Sequence, residues 1–185
     1  MITVTAERGH RVDARRRLRQ KDPVTLTRPG VPGRLELLAL AQGLVASARQ
    51  RPGMVGITTR SWELMASSDT FEAWVIGWPP GGTIALHDHG RSAAAVVVAA
   101  GELVETTVEC GLDGSATTAT RRMPTDSSWT MAGRHVHDIV NDGPAPALSV
   151  HVYAPRLTSM TNYRLVDGHL RPEQTIHYRL GHVVP

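Results

Sequence analysis

Residues 79–101 read PPGGTIALHDHGRSAAAVVVAAG, and the spacing inside this stretch decides the fold class. Pro79, Pro80, Gly81 and Gly82 are turn residues, and from Thr83 onward the pattern is that of a strand. Ala93 to Ala100, with its Val96, Val97, Val98 triplet, has the composition of a buried strand. Side chains two apart on a strand share a face, so His87 and His89 aim two imidazoles at one point. Two histidines on one strand also make an ordinary polar face, so a metal site needs a third ligand from elsewhere in the chain.

Outside this stretch the chain alternates short apolar runs with turn signals. The strand candidates are Phe71 to Trp78, Thr83 to His89, Ala93 to Ala99, Leu103 to Glu109, Thr117 to Arg122, Ser128 to Met131, His135 to Val140 and Ala147 to Tyr153. A final pair, Tyr163 to Val166 and Leu170 onward, flanks Asp167-Gly168, while Asp113-Gly114 and Asp142-Gly143 punctuate the rest. Many short strands at this spacing predict an all-β sandwich or barrel. Ahead of them Leu35, Leu38, Leu44, Val45 and Ala48 recur at helical spacing between Pro32-Gly33 and Pro52-Gly53, which predicts one amphipathic helix over about 34–50.

With 185 residues, 41% hydrophobic and 20% charged, the expected organisation is an irregular basic segment over residues 1–30 and a single domain over 31–185. The longest apolar run is too short to span a bilayer, so no membrane segment is expected. The arginines at Arg8, Arg11 and Arg15 to Arg19 are not followed by an apolar stretch of the secretory kind, and the expected location is cytoplasmic. The lone Cys110 agrees with a reducing compartment. A pI near 9.6 raises the question of nucleic acid. The net charge is only +3, the basic cluster sits in the first 30 residues and one phenylalanine is available for stacking, so no nucleic-acid partner is expected.

The third metal ligand has two candidates, His135 and His137, and parity cannot choose between them. Ser149, His151 and Tyr153 also share one face of a strand, as a hydroxyl, an imidazole and a phenol in a row. Val150 and Val152 on the other face are equally suited to a core, so which face points inward stays open.

GGTIALHDHGRSAAAVVVAAG resembles the first motif of the cupins, with a glycine six residues before the first histidine and another closing the next strand. Together with HVHDIVN and PALSVHVYAPRLTSM, it resembles the cysteine dioxygenase family, the thiol dioxygenases among the cupins, over roughly Thr59 to Tyr163. The resemblance implies a cupin barrel, that is a double-stranded β-helix or jelly roll, with a short helical N-terminal region. It makes His87, His89 and His137 the ligands of one Fe(II) per chain, His137 standing four residues before Asn141, and leaves His135 a neighbour without a ligand role. Ser149, His151 and Tyr153 match the family's Ser-His-Tyr relay, whose tyrosine hydroxyl faces the substrate and dioxygen. Arg60 stands near the family's carboxylate-binding arginine, although Thr58 replaces the usual tyrosine two places earlier.

Two further departures stand out. Ala94 occupies the position of the cupin glutamate ligand, which in animal members is a cysteine joined to the relay tyrosine, so Tyr153 is expected to remain a free phenol. Ala154, Pro155 and Arg156 replace the family's Ser-Pro-Pro.

Three neutral imidazoles leave both charges of Fe(II) unneutralised, which favours an incoming thiolate and lowers its pKa. Three facial ligands also leave three positions, enough for cysteine through sulfur and amine and for dioxygen. The implied activity is oxidation of L-cysteine to cysteine sulfinic acid. The alternatives are a dioxygenase for 3-mercaptopropionate or another small thiol, and a non-enzymatic metal-binding cupin or sensor. The expected partners are a small thiol and dioxygen, with a monomer compatible with the sequence and the oligomeric state left open.

Overall fold

In the computed structural model, which describes residues 30–51, 54, 56–179 and 182–184, the helical periodicity resolves into α1, Arg34–Arg49. The basic segment expected over residues 1–30 lies outside the described residues, apart from Gly30. The Gly33 N–H donates to Glu36 Oε2 at 2.8 Å, satisfying one of the donors that every helix leaves free at its start. The buried seam runs through Leu37, Ala41 and Ala48, with Leu38, Leu44 and Val45 beside it. Leu35, expected on that seam, is 83% exposed. The apolar stripe is therefore rotated away from Leu35, because the sheet beneath the helix offers small side chains that leucine at 37 reaches and leucine at 35 does not.

Twelve strands follow: β1 Ser61–Ser67, β2 Glu72–Trp78, β3 Thr83–His87, β4 Ala93–Ala100, β5 Glu102–Cys110, β6 Ala116–Pro124, β7 Ser128–Met131, β8 Val136–Val140, β9 Ala147–Ala154, β10 Ser159–Val166, β11 His169–Arg179 and β12 His182–Val184. They form a five-stranded sheet in the order β1-β2-β9-β4-β7 and a seven-stranded sheet in the order β12-β11-β10-β3-β8-β5-β6. All the strand pairs are antiparallel, and the two sheets make the cupin double-stranded β-helix that the sequence leads one to expect. Two differences bear on the site. β1 is not among the expected strands, and β3 stops at His87, so His89 is not part of it.

Helix α1 lies across the outer face of the five-stranded sheet. Leu37, Ala41 and Ala48 pack on Ala73, Val75, Ala95, Val97, Ala99, Leu148, Val150, Val152 and Ala154. This contact determines the inward face of β9. Val150 and Val152 sit under the helix, so Ser149, His151 and Tyr153 point into the barrel, and every residue of β9 is buried. One region of the interior is filled by Trp78, Val98, Leu103, Met123, Ile139 and Ala147, with polar side chains gathered beyond them. No helix among the described residues is long and apolar enough to cross a membrane.

The turn at residues 79–82 is fastened to the end of β8 by Asn141. Gly81 N–H donates to Asn141 O at 2.8 Å and Asn141 N–H to Gly82 O at 2.9 Å, while Asn141 Nδ2 donates to Trp78 O at 3.0 Å. These bonds hold β3 against β8 in the register that puts His87 opposite His137.

Candidate metal centre

His87 is delivered by the last residue of β3 and His137 by its neighbour β8. His89 arrives through the turn that follows β3, and Asp88 holds that turn in place. Asp88 Oδ1 accepts from Gly90 N–H and Thr161 N–H, each at 3.0 Å, and Oδ2 accepts from the Tyr163 hydroxyl at 2.9 Å. Gly90 has φ +58°, and a Cβ there would lie 2.5 Å from Ser159 Oγ. Only glycine fits both the left-handed backbone and the close approach of β10. His87 and His89 therefore converge through this pinned turn rather than through strand alternation alone.

The three rings stand with centroids 4.6 to 5.1 Å apart, and one nitrogen from each lies within 4.8 Å of the others. His87 Nδ1–H donates to Ala85 O at 2.8 Å, which leaves Nε2 its lone pair, 3.2 Å from His89 Nε2. His137 Nδ1–H donates to Glu105 Oε1 at 2.7 Å, and its Nε2 is buried without a hydrogen-bond partner. A buried, partnerless imidazole nitrogen aimed at two others is the donor arrangement that a metal ion requires, and three imidazoles are a set suited to Fe(II) or Zn(II). Burial, followed by the neighbouring rings, pushes His87 down to about 3 and His89 well below its ordinary value, so both stand neutral, the form that ligates.

Glu105, which orients His137, has no counterpart among the residues singled out from the sequence. Its side chain is fully buried on β5, and Oε2 accepts from Arg121 Nε at 2.7 Å. Burial would raise its pKa, but the bond and charge of His137 and of Arg121 outweigh that and hold it below the usual carboxylate range. The available signal was an acid within the apolar run Leu103-Val104-Glu105. A carboxylate behind a ligating imidazole fixes its tautomer and orientation. Glu105→Gln is expected to weaken metal affinity by about 10- to 100-fold, measured by competition with a chelator, with the fold retained. His135 also approaches Glu105, with its ring centroid 5.5 Å from that of His137. It lies half-buried in a separate depression with Arg121 and Trp129.

A cavity of about 230 Å³ opens onto His87 and His137 and is walled mostly by Trp62, Trp74, Trp78, Ile76 and other apolar side chains. His151, Tyr153 and Arg60 line it as well. Trp78 Nε1–H donates to Ser149 Oγ at 2.8 Å, Ser149 Oγ lies 2.8 Å from His151 Nε2, and His151 Nδ1 lies 3.2 Å from the Tyr153 hydroxyl. Tryptophan can only donate, and with the His151 proton assigned to Nδ1 the chain has one direction: Ser149 accepts from Trp78 and donates to Nε2, His151 donates from Nδ1 to the phenol oxygen, and the Tyr153 O–H is left free. Burial pushes His151 down to about 3 and raises the Tyr153 phenol above its ordinary value.

Arg60 immediately precedes β1, donates from Nη1 to Thr83 O at 3.1 Å and lies 5.7 Å from the ring centroids of both Trp62 and Trp78. Burial lowers its pKa, while the nearby Tyr178 and Tyr153 oppose that shift. Tyr178, from β11, shares the cavity wall. Nothing in its local sequence points to that place. Thr58 is exposed, and Ala94, fully buried, is the cross-strand partner of Tyr153. Cys110, at the end of β5, is exposed.

A family profile described as cysteine dioxygenase type I matches residues 49–165, well over half of the chain. The chain belongs to the cysteine dioxygenase type I family. Family membership implies a thiol dioxygenase type of oxidoreductase acting on a small thiol and dioxygen, with the three histidines as a possible metal site. No curated protein matches the chain significantly. Among solved structures it is similar to TT1209 from Thermus thermophilus, at 20% identity, TM-score 0.47, over 61% of this chain and 94% of that one. It is also similar to recombinant oxalate oxidase in complex with glycolate, at 17% identity and TM-score 0.48, over 58% and 56% of the two chains. A conserved protein with a double-stranded beta-helix domain from Klebsiella pneumoniae subsp. pneumoniae aligns at 18% identity and TM-score 0.44, over 70% and 94%. At these TM-scores none of the three bears on the chemistry. The family match ends before β11 and so does not reach Tyr178.

Proposed function

We propose that this member of the cysteine dioxygenase type I family is an Fe(II)-dependent dioxygenase that oxidises L-cysteine to cysteine sulfinic acid. The observation that carries the reading is the common cavity: Arg60 and Tyr153 open onto the same apolar space as the imidazoles of His87 and His137. Fe(II) held by His87, His89 and His137 would supply a centre at which a thiolate and dioxygen can meet.

The chain's own residues do the rest. The neutral imidazoles leave the ion its full charge, which favours an anionic sulfur over a neutral ligand. The apolar wall excludes water and so strengthens each polar contact made inside it. Arg60 offers two parallel donors to a substrate carboxylate and keeps its proton under any working condition. Tyr153 holds a hydroxyl proton at the cavity wall, oriented by Trp78, Ser149 and His151. A catalyst needs such a directed donor, and a binding module does not.

The test is anaerobic reconstitution with Fe(II), followed by dioxygen uptake and product mass against a panel of thiols. L-cysteine is expected to be consumed with a gain of two oxygen atoms. Arg60 adds a finer expectation. Cysteamine, which lacks the carboxylate, should be turned over about ten- to hundredfold less efficiently than cysteine, the worth of one charge-assisted contact. Arg60→Ala should erase most of that difference. Equal efficiency toward both thiols in the unmodified protein would remove Arg60 from substrate binding.

A further inference from the structure

The wall of the cavity is graded from a buried floor to an open rim. Its imidazoles and its inner phenol lie deep, with His87, His137 and His151 at 1 to 4% exposure and Tyr153 at 6%. Trp62, at 56%, and the half-buried Tyr178 line the same space while keeping part of their surface in solvent, so the cavity ends at them. They come from the margins of the two sheets. Trp62 stands on β1, the edge strand of one, and Tyr178 on β11, one strand in from the edge of the other.

The register of β11 turns Tyr178 inward. At the end of this strand Ile176 and Tyr178 are partly buried while Thr175, His177 and Arg179 are exposed, the alternation of a strand with one face covered. Tyr178 N–H donates to Thr158 O at 2.9 Å, and the pairing continues with His177 opposite Ser159 and Ile176 opposite Met160. Tyr178 is thereby set beside Leu157 and Met160, which line the same cavity. Leu157 is itself tied to β2, its N–H donating to Glu72 Oε1 at 3.3 Å, so this stretch of wall is fastened to both sheets.

The size of the space makes that ring decisive. Small-molecule pockets usually offer ~300 to 1,000 Å³. This one has about 230 Å³, so a single aromatic ring is a large part of its boundary. With the sulfur at the buried histidines, whatever a thiol carries beyond its amine extends away from them, toward the rim. We infer that Tyr178 is a specificity-determining residue, whose ring closes the cavity at β11 and sets the length of thiol that the metal centre accepts. The inference rests on the thiol dioxygenase reading. Exclusion of this kind needs no new attraction, because a longer thiol must displace a ring held in the wall and a shorter one need not. One methylene too many in an apolar pocket is worth roughly 10- to 200-fold in discrimination.

The test is steady-state turnover of the Fe(II)-loaded protein with L-cysteine and with L-cysteinylglycine, which presents the same sulfur and amine and carries its carboxylate one residue further out. The readout is the ratio of kcat/KM for the dipeptide to that for cysteine. In the unmodified chain the dipeptide is expected to be turned over at least about tenfold less efficiently. Tyr178→Ala, which takes the ring away, should raise the ratio about ten- to hundredfold. Tyr178→Phe, which keeps the ring and deletes the hydroxyl, should leave the ratio where it was. Three results overturn the assignment while thiol oxidation stands: a ratio unchanged in Tyr178→Ala, a phenylalanine variant that moves as far as the alanine variant, or an unmodified chain that turns over the dipeptide as well as cysteine or better. An unmodified protein that oxidises neither thiol overturns the dioxygenase reading, and Tyr178 falls with it. Circular dichroism checks the fold. If Tyr178→Ala does not fold, Tyr178→Leu, which keeps an apolar side chain without the ring, should raise the same ratio, and an unchanged ratio there overturns the assignment.

Discussion

Replacing His137 by alanine is expected to abolish iron binding, whereas replacing His135 leaves it near that of the unmodified protein. His137 Nε2 is buried with no partner, and its ring stands within 4.6 to 5.1 Å of both other imidazoles by centroid. His135 is half-buried beside Glu105, outside that group of three. A ligand set of three cannot lose one member and still hold the ion firmly, while a neighbour contributes only weakly through its charge. The readouts are iron content after anaerobic loading and the thermal midpoint with and without Fe(II), since an ion bound only by the folded state raises that midpoint by mass action. Removing His137 also costs Glu105 one of its partners, so part of any lost stability comes from the orphaned carboxylate. His87→Ala separates the two effects: its Nδ1 partner is a backbone carbonyl, and it should lose iron without disturbing Glu105. Iron retained by His137→Ala and lost from His135→Ala would transfer the third ligand to His135.

Tyr153→Phe should lower kcat with cysteine by about 10²- to 10⁴-fold, the usual worth of a positioned proton donor, with substrate affinity nearly preserved. The phenol is buried, its proton affinity is raised by burial and by Glu72, and its oxygen is held by His151 at 3.2 Å, so a neutral O–H is presented to the cavity. Phenylalanine keeps the ring against Ala94, Val96 and Met131 and deletes only the hydroxyl. Trp78→Phe makes the role specific. It removes the donor that starts the chain through Ser149 to His151, while the phenol itself stays. The Trp78 variant is expected to lose less than the Tyr153 variant, and the double variant no more than Tyr153→Phe alone, because both act through one hydroxyl. Full additivity of the two losses would mean that Trp78 acts by packing in the core rather than through Tyr153.

The dependence of the site on distant parts of the chain explains how far its parts are legible in advance. Features that repeat locally are readable. The 3.6-residue periodicity places α1, and alternating runs between turn signals place most of the strands. His87 with His89, and Ser149 with His151 and Tyr153, stand out because each group keeps its spacing within a few residues, whereas only the family resemblance separates His137 from His135. β1 is not readable, since on that edge strand Trp62 and Leu64 are exposed and Met65 is only partly buried, so their pattern is weak. Asp88 carries no signal of its task, because the amides of Gly90 and Thr161 and the hydroxyl of Tyr163 lie partly on another strand.

By itself the sequence determined an all-β sandwich or barrel behind one helix, the approximate strand limits and a histidine-rich centre, because side-chain period is a property of the backbone and needs no partner, and the family resemblance narrowed this to a cupin barrel. Only the tertiary structure decided which parity of β9 faces inward, since both parities carry buriable residues until α1 covers Val150 and Val152. Tertiary structure likewise brought Glu105 from β5 behind His137, and gathered Glu72, Arg60, Tyr153 and Tyr178 around one cavity. These are contacts between residues tens of positions apart, fixed by strand order and register across two sheets. No local pattern encodes them.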